Sequence, residues 1–132
     1  MSVPHDRRYS TDHHWIRSER DVGVPNRCRV GLTDFAQDAL GTITLVRFAS
    51  AGPELSAGEE MGEVEAFKAM SDLYMPVPAV LVEANPTLSE DPEVVNRDPY
   101  GDGWLCTVDL VDDGDLEALL DADAYRALIG DT

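Results

Sequence analysis

Alternating apolar and polar positions predict short β-strands through most of the chain. In residues 27–32 the side chains of Cys28, Val30 and Leu32 fall on one face, as expected of a strand with one side in a core. Alternation or β-branched residues predict further strands at residues 13–19, 41–48, 61–67, 73–85 and 104–111. Glycines and prolines separate these segments, so the strands are short and joined by turns.

Helical spacing of apolar residues occurs in three places. It predicts a short helix within residues 33–41, which begins at Thr33 or the aspartate after it and ends at a glycine. A single helical turn is predicted at residues 92–96, and two short helices at residues 115–129. The helices are therefore few and short beside the strands.

One folded domain accounts for nearly the whole chain. Its 132 residues suit a single modest core, and we expect this domain at residues 9–132, with a β core at about 13–111 and helices at about 115–129. Residues 1–8 have no apolar run, which predicts a flexible tail and not a secretory signal. Many short strands with few helices predict a mainly β fold of sandwich or barrel type.

The net charge of the chain limits the classes of molecule that it can bind. The formal net charge is −16, from 26 acidic and 10 basic residues. Such a chain repels the phosphates of nucleic acids and anionic membrane surfaces, and no segment is apolar enough to span a bilayer. Cys28 and Cys106 have the spacing of core residues on strands, without a CxxC pair. We expect a reducing, cytoplasmic setting and protein partners.

Lys68 is the only lysine of the chain and lies between two predicted strands, at the tip of a hairpin. The nearby acidic residues Glu65 and Asp72 favour its charged ammonium form, which argues against an amine nucleophile. No glycine-rich loop precedes it, which argues against phosphate binding. An accessible lysine on a defined turn suits enzymatic modification. The alternative is an ordinary solvated lysine in a chain that prefers arginine.

A known family shares the pattern around this lysine. Residues 62–85, GEVEAFKAMSDLYMPVPAVLVEAN, resemble the lipoyl-attachment region of the glycine cleavage H-protein family, G-x-V-E-S-V-K-A-x-S-D followed by P and V-x-E-x-N. The matching positions are Gly62, Val64, Glu65, Lys68, Ala69, Ser71, Asp72, Pro76, Val82, Glu83 and Asn85. Residues 12–17, 30–48 and 96–105 and the C-terminal helices also resemble family segments, so the resemblance covers most of the chain.

The resemblance implies a fold and a role. The fold is a lipoyl/biotinyl-type barrel-sandwich hybrid with C-terminal helices. The role is that of a lipoyl carrier and not an enzyme, with lipoate in amide linkage to Lys68. The carrier takes the aminomethyl group of glycine from the pyridoxal-phosphate glycine decarboxylase (P protein) to the aminomethyltransferase (T protein). Dihydrolipoamide dehydrogenase (L protein) reoxidises the arm, and lipoyl-attaching enzymes are further partners.

The resemblance also assigns residues around the lysine. Glu65, Ser71 and Asp72 would serve hairpin recognition and form the surroundings of the arm. His13 and His14 are candidates for the place where the arm docks. Because neighbouring residues of a strand point to opposite faces, these two histidines are not expected to bind one metal ion.

Three positions depart from the family pattern. His14 replaces an acidic residue, and Phe67 replaces a valine next to Lys68. Pro78 and Ala79 replace Ser-Gly in the returning strand. If the glycine position requires a positive φ, Ala79 is expected to be strained unless the turn has changed shape. The two prolines of this stretch predict an edge, a bend or a turn.

These departures leave two other functions open. The first is an H-like lipoylated protein that relays lipoyl groups or serves another complex. The second is an unmodified interaction module that kept the fold. Lipoylation of Lys68 separates the second alternative from the others, and exchange activity with the decarboxylase separates the first.

Overall fold

Two antiparallel sheets form the body of the molecule in the computed structural model, which describes residues 2–19, 26–49 and 51–130. Within these residues the strands are β1 (Arg8–Tyr9), β2 (His14–Ser18), β3 (Arg27–Leu32), β4 (Ile43–Phe48), β5 (Glu54–Leu55), β6 (Glu60–Ala66), β7 (Met70–Tyr74), β8 (Ala79–Ala84) and β9 (Cys106–Leu110). One sheet has the order β1-β2-β3-β9-β8-β5, and the other has the order β4-β6-β7. The predicted mainly β fold is confirmed.

Short helices connect the strands. They are α1 (Asp34–Leu40), α2 (Val94–Arg97), α3 (Ala122–Ile129) and two 3-10 helices, Pro86–Ser89 and Asp113–Ala118. Thr33 is the N-cap of α1 and accepts a hydrogen bond from the N–H of Ala36 at 3.2 Å, which satisfies a donor that the first turn leaves unpaired. In the described residues, no helix has the length and apolarity that a membrane crossing requires.

The main core lies between the two sheets. Alternate residues of β3, Cys28, Val30 and Leu32, are buried as their spacing predicted, and they pack with buried residues of the smaller sheet such as Val64 and Leu73. Full burial of an aliphatic side chain stabilises a fold by about 1.5–3 kcal/mol. The two sheets therefore hold each other through this shared core.

A second, smaller core joins the two ends of the described chain. It contains Val3, Tyr9, Trp15, Ala122 and Tyr125. The backbone groups of Tyr9 exchange two hydrogen bonds with those of Leu120, at 2.8 and 2.9 Å. This core packs α3 against strands β1 and β2 of the larger sheet.

The N-terminal stretch differs from the sequence prediction. Residues 1–8 are predicted as a flexible tail, but in the described part of that stretch Val3 is only 3% exposed. The Arg7 guanidinium lies over the ring of Trp15, 4.6 Å from the ring centroid, and donates a 3.0 Å hydrogen bond to the carbonyl of Tyr100. The stretch is short of apolar residues, so sequence pattern alone does not reveal the docking that one valine and one arginine provide.

The hairpin that carries Lys68 is formed by β6 and β7, as predicted. Its tip spans residues 67–69, and the N–H of Ala66 closes it with a 2.9 Å hydrogen bond to the carbonyl of Ala69. The N–H of Phe67 donates to the carbonyl of Thr42 at 3.1 Å. The tip is therefore tied to the chain segment that follows α1.

The prediction of strain at Ala79 is wrong. Ala79 begins β8, is fully buried, and pairs with Leu55 and Leu110. The residues other than glycine with positive φ in the described ranges are His13 and Asn26. Residues 75–78, which contain both prolines, connect β7 to β8 outside the strands. The predicted bend is therefore present, and it does not require a positive φ at Ala79.

Candidate functional site: the Lys68 hairpin and the α1–β7 cavity

The aliphatic part of Lys68 lies over Gly41. Lys68 is exposed at the hairpin tip, and its Cδ and Cε both lie 3.4 Å from the point that a Cβ on Gly41 would occupy. Gly41 is the C-cap of α1, with φ 79° and ψ −158°. The lysine side chain thus runs across the end of the helix before its amine reaches solvent.

Asn96 holds the segment beneath the lysine. Its side-chain carbonyl accepts a 2.9 Å hydrogen bond from the N–H of Ile43. Its amide group donates to the side chain of Gln37 and to the backbone carbonyl of Gly41, both at 2.9 Å. One side chain therefore joins α1, the turn after it and the start of β4.

Glu65 lies on the solvent side of the smaller sheet, where it forms a salt bridge with Arg47. The Arg47 Nη2 atom lies 2.6 Å from Glu65 Oε1, and its Nε lies 3.1 Å from Glu63 Oε1. The salt bridges of the described residues do not include one with Lys68. In the described residues Glu65 is therefore paired with Arg47, and its predicted role in hairpin recognition stays a prediction.

We call the solvent side of β4, β6 and β7 the outer face. Leu45, Glu65 and Met70 are paired across the three strands and form one row of it, because paired residues share a face of a sheet. Leu45 is 38% exposed, Met70 is 62% exposed, and Phe67 at the tip is 80% exposed. The outer face therefore exposes apolar side chains near the hairpin tip that carries Lys68.

Behind these apolar residues the outer face is acidic. Carboxylate oxygens of Glu60, Glu63 and Asp72 lie within 4.8 Å of one another. The negative charge of Asp72 is the largest cause that raises the pKa of Glu60. Because Glu60 and Asp72 are exposed, water solvates them, and a cluster of this kind needs no bound ion. His13 and His14 do not belong to it.

A cavity of about 170 Å³ separates α1 from β7, and we call it the α1–β7 cavity. Four predicted site residues, His13, His14, Ser71 and Asp72, line it together. The remaining lining residues are Asp12, Leu32, Phe35, Ala36, Ala39 and Leu40. Since Leu40 directly precedes Gly41, the cavity opens beside the path of the Lys68 side chain.

His13 shares this cavity with His14 because its backbone is left-handed. His13 has φ 66° and precedes β2, so the alternation of side chains along a strand does not apply to it. Its Nδ1 lies 2.8 Å from the hydroxyl of Tyr125, which lies 2.7 Å from the hydroxyl of Thr33. These contacts link the cavity wall to α3 and to the N-cap of α1.

His14 is a buried histidine whose ring has the backbone of Asp12 as its polar neighbour. Its exposed fraction is 1%. Burial lowers its pKa to about 4, and the nearby backbone of Asp12 offsets only part of this desolvation. The imidazole is therefore neutral at neutral pH and offers the cavity one acceptor nitrogen.

Two residues of this site were missed as functional candidates in the sequence. Gly41 was interpreted only as the end of a helix, which is correct, and Asn96 only as part of a helical turn. Both lie within segments that resemble the family. Gly41 and Asn96 are 27 and 28 positions from Lys68 in the sequence, and local spacing rules do not describe contacts over such separations.

Comparison with known proteins decides the family. Residues 7–132 match the family model described as Glycine cleavage H-protein. The chain belongs to the glycine cleavage H-protein family. It is 45% identical over 129 residues to the glycine cleavage system H protein of Bacteroides fragilis, with 98% of each chain covered. It is 47% identical over 131 residues to that of Chlorobium limicola, covering 99% of this chain and 100% of the other.

A solved member of the H-protein family has the same fold. The crystal structure of a glycine cleavage system H protein from Mycobacterium marinum matches with a TM-score of 0.84 and 39% sequence identity, over 97% of this chain and 99% of the other. H proteins are lipoyl carriers in the glycine cleavage system and not enzymes, so the predicted class of function is confirmed. The lipoyl-relay and unmodified-module alternatives are not favoured.

Proposed function

We propose that Lys68 is the residue that carries the lipoyl group, in amide linkage. The observation that supports this most is the placement of the chain's only lysine, exposed at a hairpin tip whose backbone is tied on both sides. An attaching enzyme needs such an accessible amine on a defined turn. An arginine at this position could not form the amide.

The residues around Lys68 fit the group. Amide formation removes the ammonium charge, and in the described residues Lys68 has no salt bridge that this would break. When bound, the lipoyl group would supply a disulfide that takes up the aminomethyl group on one sulfur while the other sulfur becomes a thiol. The protein's own part is to hold the tip through Ala66 and Phe67 and to present the side chain across Gly41.

We propose that the α1–β7 cavity is the resting place for the end of this arm. Leu32 and Phe35 offer apolar walls. Asp12 and Asp72 supply negative charge that attracts a cationic amine. His14 is neutral at neutral pH, so its free nitrogen can accept one hydrogen bond from such an amine without repelling it.

The outer face is our proposed contact surface for partner enzymes. Phe67, Met70 and Leu45 provide exposed apolar contacts next to Lys68, and the acidic cluster lies behind them. Such a surface is complementary to a partner surface that has an apolar patch with basic residues around it. The proposed partners are the P protein (glycine decarboxylase), the T protein (aminomethyltransferase), the L protein (dihydrolipoamide dehydrogenase) and the lipoyl-attaching enzymes.

Enzymatic lipoylation followed by intact-mass measurement tests the attachment site. The purified chain, incubated with lipoate ligase, ATP and lipoate, should gain one lipoyl mass, and peptide mapping should assign it to Lys68. Lys68→Arg is the matched control, because it keeps the charge and should gain nothing. A lipoyl mass on Lys68→Arg, or no gain by the wild type under conditions that lipoylate another H protein, contradicts the proposal.

Exchange activity tests the carrier role itself. With cognate glycine decarboxylase, the lipoylated chain should support exchange between bicarbonate and the carboxyl group of glycine, and the unmodified chain should not. A fully lipoylated sample without exchange would instead favour a relay of lipoyl groups to other proteins.

A further inference from the structure

We propose that Gly41 is a positioning residue that sets the direction in which the arm on Lys68 leaves the hairpin. This inference rests on the proposed function, because it concerns the arm that Lys68 would carry. Gly41 would act by offering a bare stretch of backbone as a floor, over which the methylene groups of the lysine lie.

The contact geometry identifies Gly41 as this floor. The Cγ, Cδ and Cε atoms of Lys68 lie 3.6, 3.4 and 3.4 Å from the point where a Cβ on Gly41 would be. A methyl group there would just touch the lysine. Any longer side chain would take the space through which the lysine now passes, because atoms beyond Cβ must extend into it.

The backbone of Gly41 gives glycine a second, separate reason to occur here. Its φ of 79° and ψ of −158° lie in a region that is essentially restricted to glycine. A substitution therefore strains the helix end whatever its effect on Lys68. The other described glycines with positive φ, Gly52, Gly58 and Gly130, have no atom within 4 Å of their Cβ position. They supply controls in which backbone strain occurs without a lysine above.

The floor and the tip are fixed relative to each other. Asn96 holds the carbonyl of Gly41 and the N–H of Ile43, and the N–H of Phe67 bonds the carbonyl of Thr42. The residue before Lys68 is thereby tied to the residue after Gly41. Since both ends of the contact are held by hydrogen bonds, the lysine has a preferred direction, along the end of α1 beside the α1–β7 cavity.

The presence of a single lysine makes this contact directly measurable. Selective labelling of lysine with carbon-13 gives signals from Lys68 alone. In the unmodified wild-type chain, we expect nuclear Overhauser effects between the Lys68 Hδ and Hε protons and the Gly41 Hα protons. We also expect methylene groups that are more ordered than those of a free lysine. Absence of these effects in the wild type overturns the proposal without reference to any variant.

Substitutions at two glycines separate the floor from the helix cap. The variants are Gly41→Ala, Gly41→Leu, Gly58→Ala and Gly58→Leu, and the quantity of interest is the change from alanine to leucine at each site. Backbone strain is similar for both residues at one site, so this step isolates the side chain beyond Cβ. When the change from alanine to leucine is made at position 41, we expect the Lys68 methylene groups to become less ordered. When it is made at position 58, we expect their order to stay the same.

A functional measurement uses the same pair in lipoylated form. The step from alanine to leucine at position 41 should raise the KM of glycine decarboxylase for the carrier by about tenfold, with a smaller change in kcat, because the arm starts from a wrong direction. Equal effects at positions 41 and 58 overturn the inference. Failure of the wild type to be lipoylated would contradict the proposed function and leave the labelling result on the unmodified chain to decide the inference alone.

Discussion

His14 is the residue whose chemistry differs most from that of its free amino acid. It is buried, and its pKa falls to about 4 from the ordinary value of 6.5 because burial disfavours the charged imidazolium. The unfolded chain therefore binds a proton between these values that the folded chain does not bind. The free energy of unfolding rises with pH wherever the unfolded state holds more protons, so His14 destabilises the fold as the pH falls from 6.5 towards 4.

Replacing His14 by leucine should remove this pH dependence. We expect the wild type to lose about 2 kcal/mol of unfolding free energy from His14 between pH 7 and pH 5. His14→Leu should lack this loss and keep or raise stability at pH 7, because it removes a buried polar group. Urea unfolding at several pH values measures the difference. His5→Gln, at an exposed histidine, is the control, and equal slopes for wild type and His14→Leu would contradict the prediction.

Phe67 is expected to act in partner contacts and not in stability. It is 80% exposed, so Phe67→Ala should change the unfolding free energy by less than about 0.5 kcal/mol. Loss of an exposed aromatic anchor should lower kcat/KM of lipoate ligase or glycine decarboxylase for the carrier by roughly 5- to 30-fold. Val111→Ala removes another exposed apolar side chain, outside the outer face, and should change neither quantity. Equal losses for the two variants would exclude a specific role for Phe67.

Among single residues, the sequence predicts the role of those that a nearby sequence pattern identifies. Lys68 stands out because it is the only lysine and lies in a recognisable motif. The burial of Cys28 and Cys106 follows from alternation along their strands. The left-handed backbone of His13 and the partnership of Glu65 with Arg47 depend on neighbours from other segments, and no local pattern indicated either.

Among the elements, the turn between α1 and β4 depends on one asparagine. Asn96→Ala removes the three hydrogen bonds that join this turn to α1 and α2. We expect a loss of about 1–3 kcal/mol in unfolding free energy, because partly buried donors and acceptors are left unpaired. We also expect weaker order in the Lys68 side chain, which the labelled-lysine experiment detects.

Asn85 provides the matched control for this prediction. Its side chain also makes three hydrogen bonds, to the N–H of Thr87 and the carbonyls of Asp102 and Trp104. Asn85→Ala should therefore cost a similar free energy of unfolding without changing the Lys68 signals. If both variants loosen Lys68 equally, the effect reports general destabilisation and not the floor beneath the lysine.

Helix α3 reaches the α1–β7 cavity through one hydroxyl group. Tyr125→Phe removes the contacts of that hydroxyl with His13 and Thr33. We expect a stability loss of about 1 kcal/mol and a changed imidazole signal of His13 in the nuclear magnetic resonance spectrum. Tyr9→Phe removes a hydroxyl in the same small core that bonds Pro4 instead. An unchanged His13 signal in Tyr125→Phe, or the same change in both variants, would contradict the link.

The elements that sequence predicted have a periodic pattern long enough to detect. Strands β2, β3, β4, β8 and β9 and helices α1 and α3 fall within predicted segments, and β6 begins one residue before its segment. Only Leu73 and Tyr74 of β7 lie in a predicted strand, because residues 70–72 are predicted as part of the hairpin tip. Strands β1 and β5 have two residues each and were not predicted. Two residues are too few to show an alternation of apolar and polar positions. Their strand conformation comes from pairing with other segments, such as Tyr9 with Trp15 and Glu54 with Val80.

On the scale of the whole molecule, the net charge of −16 should govern association rates. An acidic carrier that approaches a basic rim is attracted over about 8–10 Å at physiological salt, and salt screens this attraction. We expect kcat/KM with the partner enzymes to fall as ionic strength rises. The acidic cluster of the outer face should contribute most to this slope, because it lies beside the proposed contact.

A pair of charge-matched variants tests this location. Glu60→Gln with Glu63→Gln removes two charges on the outer face, and Glu90→Gln with Glu117→Gln removes two exposed charges elsewhere. The first pair should flatten the salt dependence of kcat/KM, and the second should leave it nearly unchanged. Equal slopes in the two double variants would mean that net charge matters and its position does not.

The pairing of Tyr9 with Leu120 has a mechanical consequence. A pull on the two ends of the chain loads these two backbone hydrogen bonds before any strand of the Lys68 hairpin. Their rupture would free α3, and with it the Tyr125 hydroxyl that steadies His13 in the cavity wall. If a carrier were tethered by its end to a surface or to a fused protein, its α1–β7 cavity would have a less ordered wall than that of the free chain. Lys68 at the hairpin tip would keep its position.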